Sequence, residues 1–221
     1  MKNFLKELIY FFKTLLPPRG TVVLMYHSVG DNSAFFTVAP NMFERQLQYI
    51  ADKKHRVIVT FDDGYEDNYT IAFPLLKKYN ISASIFIATS FIGRSRTLRS
   101  GNTFPMLSWQ QIEEMKTSGL VEFFPHSHTH PKLTELSLDE AEQEIRKSRE
   151  IIPGDLFAYP YGYYNSTIID FLKKQGFIMA YTVQSGVVTS STDPFLIPRN
   201  SVDSHVTFSM FRGIIQRGRI R

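Results

Sequence analysis

Short apolar runs at 21–26, 57–61, 83–88, 120–124, 156–159 and 178–183 constrain this chain more than anything else in it. Each is too short for a helix and too continuous for a sheet with one wet face, so they read as strands buried on both sides. Between them the periodicity changes. Phe43, Leu47 and Ile50 share one helical face; Asn41 with Glu44, Ser108 with Gln111 and Ser137 with Glu140 make capping-box starts. Asn165 opens a further helix, which Gly176 closes. Strand and helix in alternation predict an α/β chain with a parallel sheet and outer helices, open or closed into a barrel. With 221 residues, 43% of them apolar, the chain can bury one substantial core, and its length asks for no second. The polar stretches 93–103 and 184–193 read as loops, and Arg94, Arg96 and Arg99 as a solvated face.

The charge pattern narrows the partners. A formal charge of +4 without any Lys/Arg block interleaved with aromatics argues against nucleic acid. An acidic glycan or an anionic membrane surface stays compatible. With no cysteine, disulfides and thiolate metal sites are excluded, which leaves His, Asp and Glu as ligands. Residues 1–18 read as an amphipathic helix ended by Pro17 and Pro18. Phe4, Leu5, Leu8, Ile9, Phe11, Phe12, Leu15 and Leu16 fall on one half, and Lys2, Lys6 and Lys13 on the other. Through residues 4–16 such a helix either lies on a membrane or packs on the domain formed by 19–221. No small-residue cleavage pattern follows it, so the expectation is no cleavable signal peptide and a place in the cytoplasm or at the inner membrane face.

In such folds function gathers where strands end. The run 57–61 ends in Asp62-Asp63-Gly64, two carboxylates and a turn residue; side chains alternate along a strand, so the two acids face apart unless the chain turns there. Carboxylates crowded together need a cation or a proton. "PHSHTHP" places His126, His128 and His130 just beyond another strand end, between prolines that stiffen the loop. His126 and His130 have a common metal spacing, with His128 not excluded, and with one aspartate they would leave positions open for water and substrate. "FAYPYG", 157–162, is by itself an ordinary aromatic turn.

Together, "TFDDGY", "HSHTHP" and "YPYG" resemble the polysaccharide deacetylases, the carbohydrate esterases with a NodB homology domain, over nearly the whole chain beyond residue 20. The resemblance implies a distorted (β/α) barrel and hydrolysis of N-acetyl groups on a glycan or a lipid-linked saccharide. It implies one divalent ion, zinc first and cobalt, nickel or manganese after it, held by Asp63, His126 and His130. Asp62 would be the general base, and the backbone N–H of Tyr161 would face the oxyanion. The pattern departs from the family at Ala158, where many members carry arginine, and no clear late Leu-x-His is present. "VLMYHSV" and "IPRN" instead resemble the circularly permuted poly-N-acetylglucosamine deacetylases. That branch implies His27 as general acid and Arg199 as the residue that orients Asp62, a buried structural arginine being the competing reading; the ordinary late histidine of the family would instead be His205. Tyr65, Phe157, Tyr161 and Tyr163 could stack on sugars or simply pack. A non-catalytic glycan-binding module and a metal-dependent esterase or phosphoesterase are the other classes, the last expected to need a second metal and more carboxylates.

Overall fold

The computed structural model describes residues 20–53 and 56–218; the helix expected over 1–18 and His55 lie outside them. The chain runs β1 (Val22–Tyr26), β2 (Ser28–Val29), β3 (Thr37–Val38), α1 (Pro40–Lys53), β4 (Val57–Asp63), α2 (Phe73–Tyr79) and β5 (Ala83–Ile87). It continues through β6 (Ser95–Thr97), β7 (Thr103–Pro105), α3 (Trp109–Thr117), β8 (Val121–Pro125) and α4 (Leu138–Ile151). Last come β9 (Leu156–Ala158), α5 (Ser166–Lys174), β10 (Met179–Tyr181), β11 (Asn200–Ser201) and α6 (Phe208–Arg217).

The main sheet has the order β11-β1-β4-β5-β8, all neighbours parallel, and β9 pairs with β10 in a second parallel ladder. Ile197 pairs with Tyr181 of β10, and Asn200 with Leu24 of β1, so one stretch of chain joins the two sheets. On the opposite flank β8 and β9 pack side by side, and among the described residues no ladder joins them. The strands therefore form a barrel with one seam.

Alternation along the strands sorts the side chains into two cores. Val23, Phe86, Phe124, Ala158, Tyr181 and Ile197 make a small cluster, one residue from each of several strands, inside the barrel. Their neighbours Leu24, Phe61 and Ile85 face outward against Phe43, Leu76, Met115 and Phe211 of the helices. Phe157 and Tyr159 pack outward on Ile145, Ile168 and Phe171. Full burial of each such side chain contributes about 1.5–3 kcal/mol, so the helices are held mainly by this outer layer.

The capping boxes at Ser108 and Ser137 form, and Asn165 caps α5. The expected box at Asn41 does not: Pro40 already occupies the first turn of α1, where its fixed φ starts the helix two residues earlier. The stretch 93–103 is not a loop throughout, because β6 and β7 pair there as an antiparallel hairpin. That hairpin rests on a cluster of Phe36, Tyr65, Phe104 and Met106 beside the end of β4.

Candidate active site

The end of β4 resolves the problem of the adjacent carboxylates. Thr60 and Asp62 share the inward face of the strand, where the Arg199 guanidinium contacts both. The chain then folds back on itself. Gly64 N–H donates to the Asp62 carbonyl at 3.0 Å and closes a γ-turn about Asp63, whose φ is 72°; Gly64 follows at 85°. A left-handed aspartate costs of order 1–3 kcal/mol, and the turn re-aims a side chain that simple alternation would have sent outward. A Cβ on Gly64 would stand 3.2 Å from Ile87, so glycine is needed there for conformation and space alike.

Asp62 is buried and doubly held. Arg199, fully buried, donates from Nη1 to Oδ1 and from Nη2 to Oδ2, each at 2.6 Å, while its Nε donates to the Thr182 carbonyl. Burial pushes the Asp62 carboxyl up, but Arg199 and then His126 outweigh it, and the group stays below the usual carboxylate range. It is an ionised acceptor at neutral pH. Arg199 is thus both buried and in contact with Asp62, the residue it was expected to orient.

The histidine loop is bent by left-handed residues at Ser127 and His130, both at φ 62°, and His130 N–H donates to Ser127 Oγ. Two of its rings turn inward. His126 Nδ1 donates to the Ala158 carbonyl at 2.7 Å, which leaves the Nε2 lone pair facing the site. His126 Nε2 lies 3.1 Å from His130 Nε2, and Asp63 Oδ1 lies 3.1 Å from His130 Nε2 and 3.8 Å from His126 Nε2. His128 turns away, its Nδ1 against Thr89 Oγ1, and Glu144 holds the loop backbone at His128 and Thr129.

These atoms fit a metal ion. Asp63, His126 and His130 offer donor atoms within 4.8 Å of one another, the one such group among the described residues. Buried Asp63 Oδ1 makes no well-formed hydrogen bond even with Arg96 Nη1 2.9 Å away, and so keeps lone-pair capacity for a cation. Burial raises the Asp63 carboxyl, yet His130, Arg96, His27 and His126 together bring it far below the carboxylate range. Burial pushes His130 down to about 3 and lowers His126 as well, so both rings are neutral and can act as ligands.

The remaining residues divide. His27, directly after β1, packs 6.0 Å from the Phe36 ring and bears electrostatically on both Asp62 and Asp63. Its backbone is fixed: Asn68 Nδ2 donates to the His27 carbonyl at 2.8 Å, and Asp67 accepts from Ser28 Oγ and Val29 N–H. Neither Asp67 nor Asn68 was anticipated, although each sits five residues beyond one of the paired acids. Tyr161, left-handed at φ 57° and half exposed, places its ring 4.5 Å from His130. A groove of about 400 Å³ runs past it between Arg99, Pro131, Lys132 and Leu136. Tyr163 is also half exposed, with Lys132 over its ring. His205 is exposed and, among the described residues, pairs with Asp203.

Three expectations change. Tyr65 is 2% exposed between Phe36 and Phe104, so its ring faces are covered, and burial with the nearby Asp63 charge pushes its hydroxyl far up. Phe157 is fully buried against Phe177 and Tyr159, and it is packing. Arg96, read as solvated, is 8% exposed: Nη2 meets His130 Nδ1 at 2.9 Å and Nη1 lies 2.9 Å from Asp63 Oδ1. The apolar alternation around it, with Leu98, Phe104 and Met106 flanking Ser100-Gly101-Asn102, was the available sign of a hairpin.

Known proteins resemble this chain in sequence and fold. The sequence model of the family described as polysaccharide deacetylase matches residues 50–180. A poly-beta-1,6-N-acetyl-D-glucosamine N-deacetylase of Staphylococcus epidermidis is 33% identical over 160 residues, 66% of this chain and 54% of that enzyme. One from Staphylococcus aureus is 26% identical over 231 residues, covering 89% of this chain and 73% of its own. Among solved structures, IcaB from Ammonifex degensii superposes with a TM-score of 0.76 at 26% identity, over 90% of this chain and 97% of that one. The distorted (β/α) barrel is thereby the observed fold.

Proposed function

Because the chain belongs to the polysaccharide deacetylase family, we propose that it is a metal-dependent N-deacetylase acting on an N-acetylated glycan. The observation that carries this reading is the convergence of Asp63, His126 and His130 beside an Asp62 that Arg199 holds ionised. Asp63, His126 and His130 would hold a divalent ion, zinc first, which would supply Lewis-acid polarisation of water and of the acetyl carbonyl. The chain's own groups do the rest. Asp62 accepts the proton of the attacking water, its carboxylate oriented by both Arg199 nitrogens. The Tyr161 N–H donates to the oxygen on which negative charge develops. His27 delivers a proton to the amide nitrogen as the C–N bond breaks, so that acetate and a free amine leave. Tyr161 and Tyr163, both exposed beside the groove, would stack on the sugar rings.

The names of the relatives favour a poly-β-1,6-N-acetylglucosamine chain or a related saccharide as substrate. The test is acetate release from that polymer and from a panel of N-acetylated oligosaccharides and lipid-linked saccharides. Release abolished by a chelator and restored by zinc is the expected result; sugar binding without release would identify a binding module instead. A phosphoesterase using paired metals is disfavoured by the one His/Asp group among the described residues.

We further propose that residues 1–18 form a unit separate from 19–221 and hold the chain against the inner membrane face through 4–16. The amphipathic pattern supports this, and no helix among the described residues is long and apolar enough to cross a membrane. Fractionation with N-terminal sequencing checks it; a processed N-terminus outside the membrane would overturn it.

A further inference from the structure

The contacts of Arg96 carry a consequence for how the site takes up its ion. Arginine only donates hydrogen bonds, so His130 Nδ1 must accept from Arg96 Nη2 at 2.9 Å, and the ring hydrogen of neutral His130 therefore lies on Nε2. That hydrogen faces His126 Nε2 at 3.1 Å, which is free to accept because His126 Nδ1 already donates to the Ala158 carbonyl. The result is one directed chain of hydrogen bonds from Arg96 through both rings to the backbone of β9. Arg96 Nη1 meanwhile lies against Asp63 Oδ1 at 2.9 Å, so a single guanidinium touches two of the three candidate ligands.

An ion held by both Nε2 atoms needs both of their lone pairs. The hydrogen of His130 then has to sit on Nδ1, where it would point at the N–H groups of Arg96, donor against donor. The guanidinium is also a fixed positive charge in a buried site, and it repels a divalent cation. We propose that Arg96 is a displaceable stand-in for the ion: it neutralises Asp63 and orders the histidine pair, and it must leave His130 when a divalent cation enters. Its location suits this role. Arg199 arises from the stretch of chain that joins the two sheets, whereas Arg96 sits on a three-residue strand of a hairpin whose other face is largely exposed. The hairpin pairs with no strand of either barrel sheet.

This inference rests on the metal reading above, and its test separates the two. Zinc affinity is measured by competition with a chromophoric chelator for the wild type, Arg96→Met and Arg96→Lys, and melting temperatures are taken with zinc and with excess chelator. Arg96→Met should bind zinc about tenfold more tightly or better, the size of an ordinary coupling between two sites. It should also melt lower than wild type in chelator, where buried Asp63 loses its counter-charge, and recover that loss when zinc is added. Arg96→Lys keeps the charge but cannot span His130 and Asp63, and should fall between the two. A residue with a purely structural role would lower both melting temperatures alike. If the wild type binds zinc and Arg96→Met binds it equally or less tightly, the proposal is wrong while the metal reading stands. Should none of the three proteins bind zinc, both are wrong.

Discussion

Asp62 and Asp63 are neighbours in sequence, both buried, and each faces an arginine, yet the two pairs are built differently. The Arg199–Asp62 pair is bidentate, closed from water, and anchored at a third point on the Thr182 carbonyl. The Arg96–Asp63 pair is a single contact from a hairpin, and it leaves Asp63 Oδ1 without a well-formed hydrogen bond. One carboxylate is fixed and the other is offered. The difference follows from where each arginine is mounted. Arg199 lies on the chain that closes the barrel, where its guanidinium lies within cation–π range of the rings of Phe86 and Tyr181. Arg96 lies on an added flap over the mouth.

The sharpest way to break the comparison is to neutralise each acid in turn. Asp62→Asn is expected to keep zinc and lose about a thousandfold or more in acetate release, because the proton acceptor is gone. Asp63→Asn should lose zinc and turnover together, as elemental analysis beside the activity assay will show. Equal zinc loss in both variants would mean the roles are reversed or shared.

The arginines come next. Arg199→Met leaves Asp62 buried without a partner and should destabilise the fold by about 3–5 kcal/mol, the usual consequence of breaking a buried pair. With zinc bound, Arg96→Met should change stability far less. Denaturant titration of the two zinc-loaded variants decides, and similar losses would erase the distinction between a fixed and an offered carboxylate.

A smaller effect tests the group opposite the base. His27→Ala should retain metal and fold and lose about a hundredfold in amide hydrolysis. It should lose little on an acetyl ester whose leaving group needs no proton. The same selective loss in His205→Ala, with His27→Ala unaffected, would move the acid to the late histidine.

The smallest effect concerns Asp67, a third carboxylate near these two but held by neutral donors. Burial raises it to about 6 from 3.8, against the hydrogen bonds of Ser28, Val29 and Asn68. Since the folded value is above the unfolded one, the folded state binds the proton more tightly. Its contribution to stability is therefore greatest below about pH 4, declines as pH rises through about 6, and is level beyond that. Asp67→Asn should flatten the pH dependence of the melting temperature between those limits. An unchanged slope would show that Asp67 is not the group responsible.

Much of this arrangement was legible in the chain. The buried strands announced themselves by composition, and Asp62, Asp63, His126 and His130 by short spacings at strand ends, because their chemistry depends on local turns. Arg199 could be placed only by resemblance: it lies 137 residues from Asp62, and nothing local says which strand end an arginine will face. Arg96 was misread for the same reason. Its neighbours Arg94 and Arg99 are solvent-exposed, and only the pairing of β6 with β7 and the packing of Phe104 turn it inward. Tyr65 failed in the other direction. An aromatic beside paired acids suggests a sugar platform, but Phe36 and Phe104, distant in sequence, cover it.

The seam between β8 and β9 gives one of these side chains a mechanical office. No ladder crosses there, whereas the hydrogen bond from His126 Nδ1 to the Ala158 carbonyl does. Opening the barrel along that line separates His126, a proposed metal ligand, from the backbone that aims it. Amide protons of β9 and β10 should then exchange through this partial opening, ahead of those of β1, β4 and β5, which wait for global unfolding. An ion gripping His126 would slow that exchange by riveting the seam shut, so that the barrel's breathing and the integrity of its chemistry become one equilibrium.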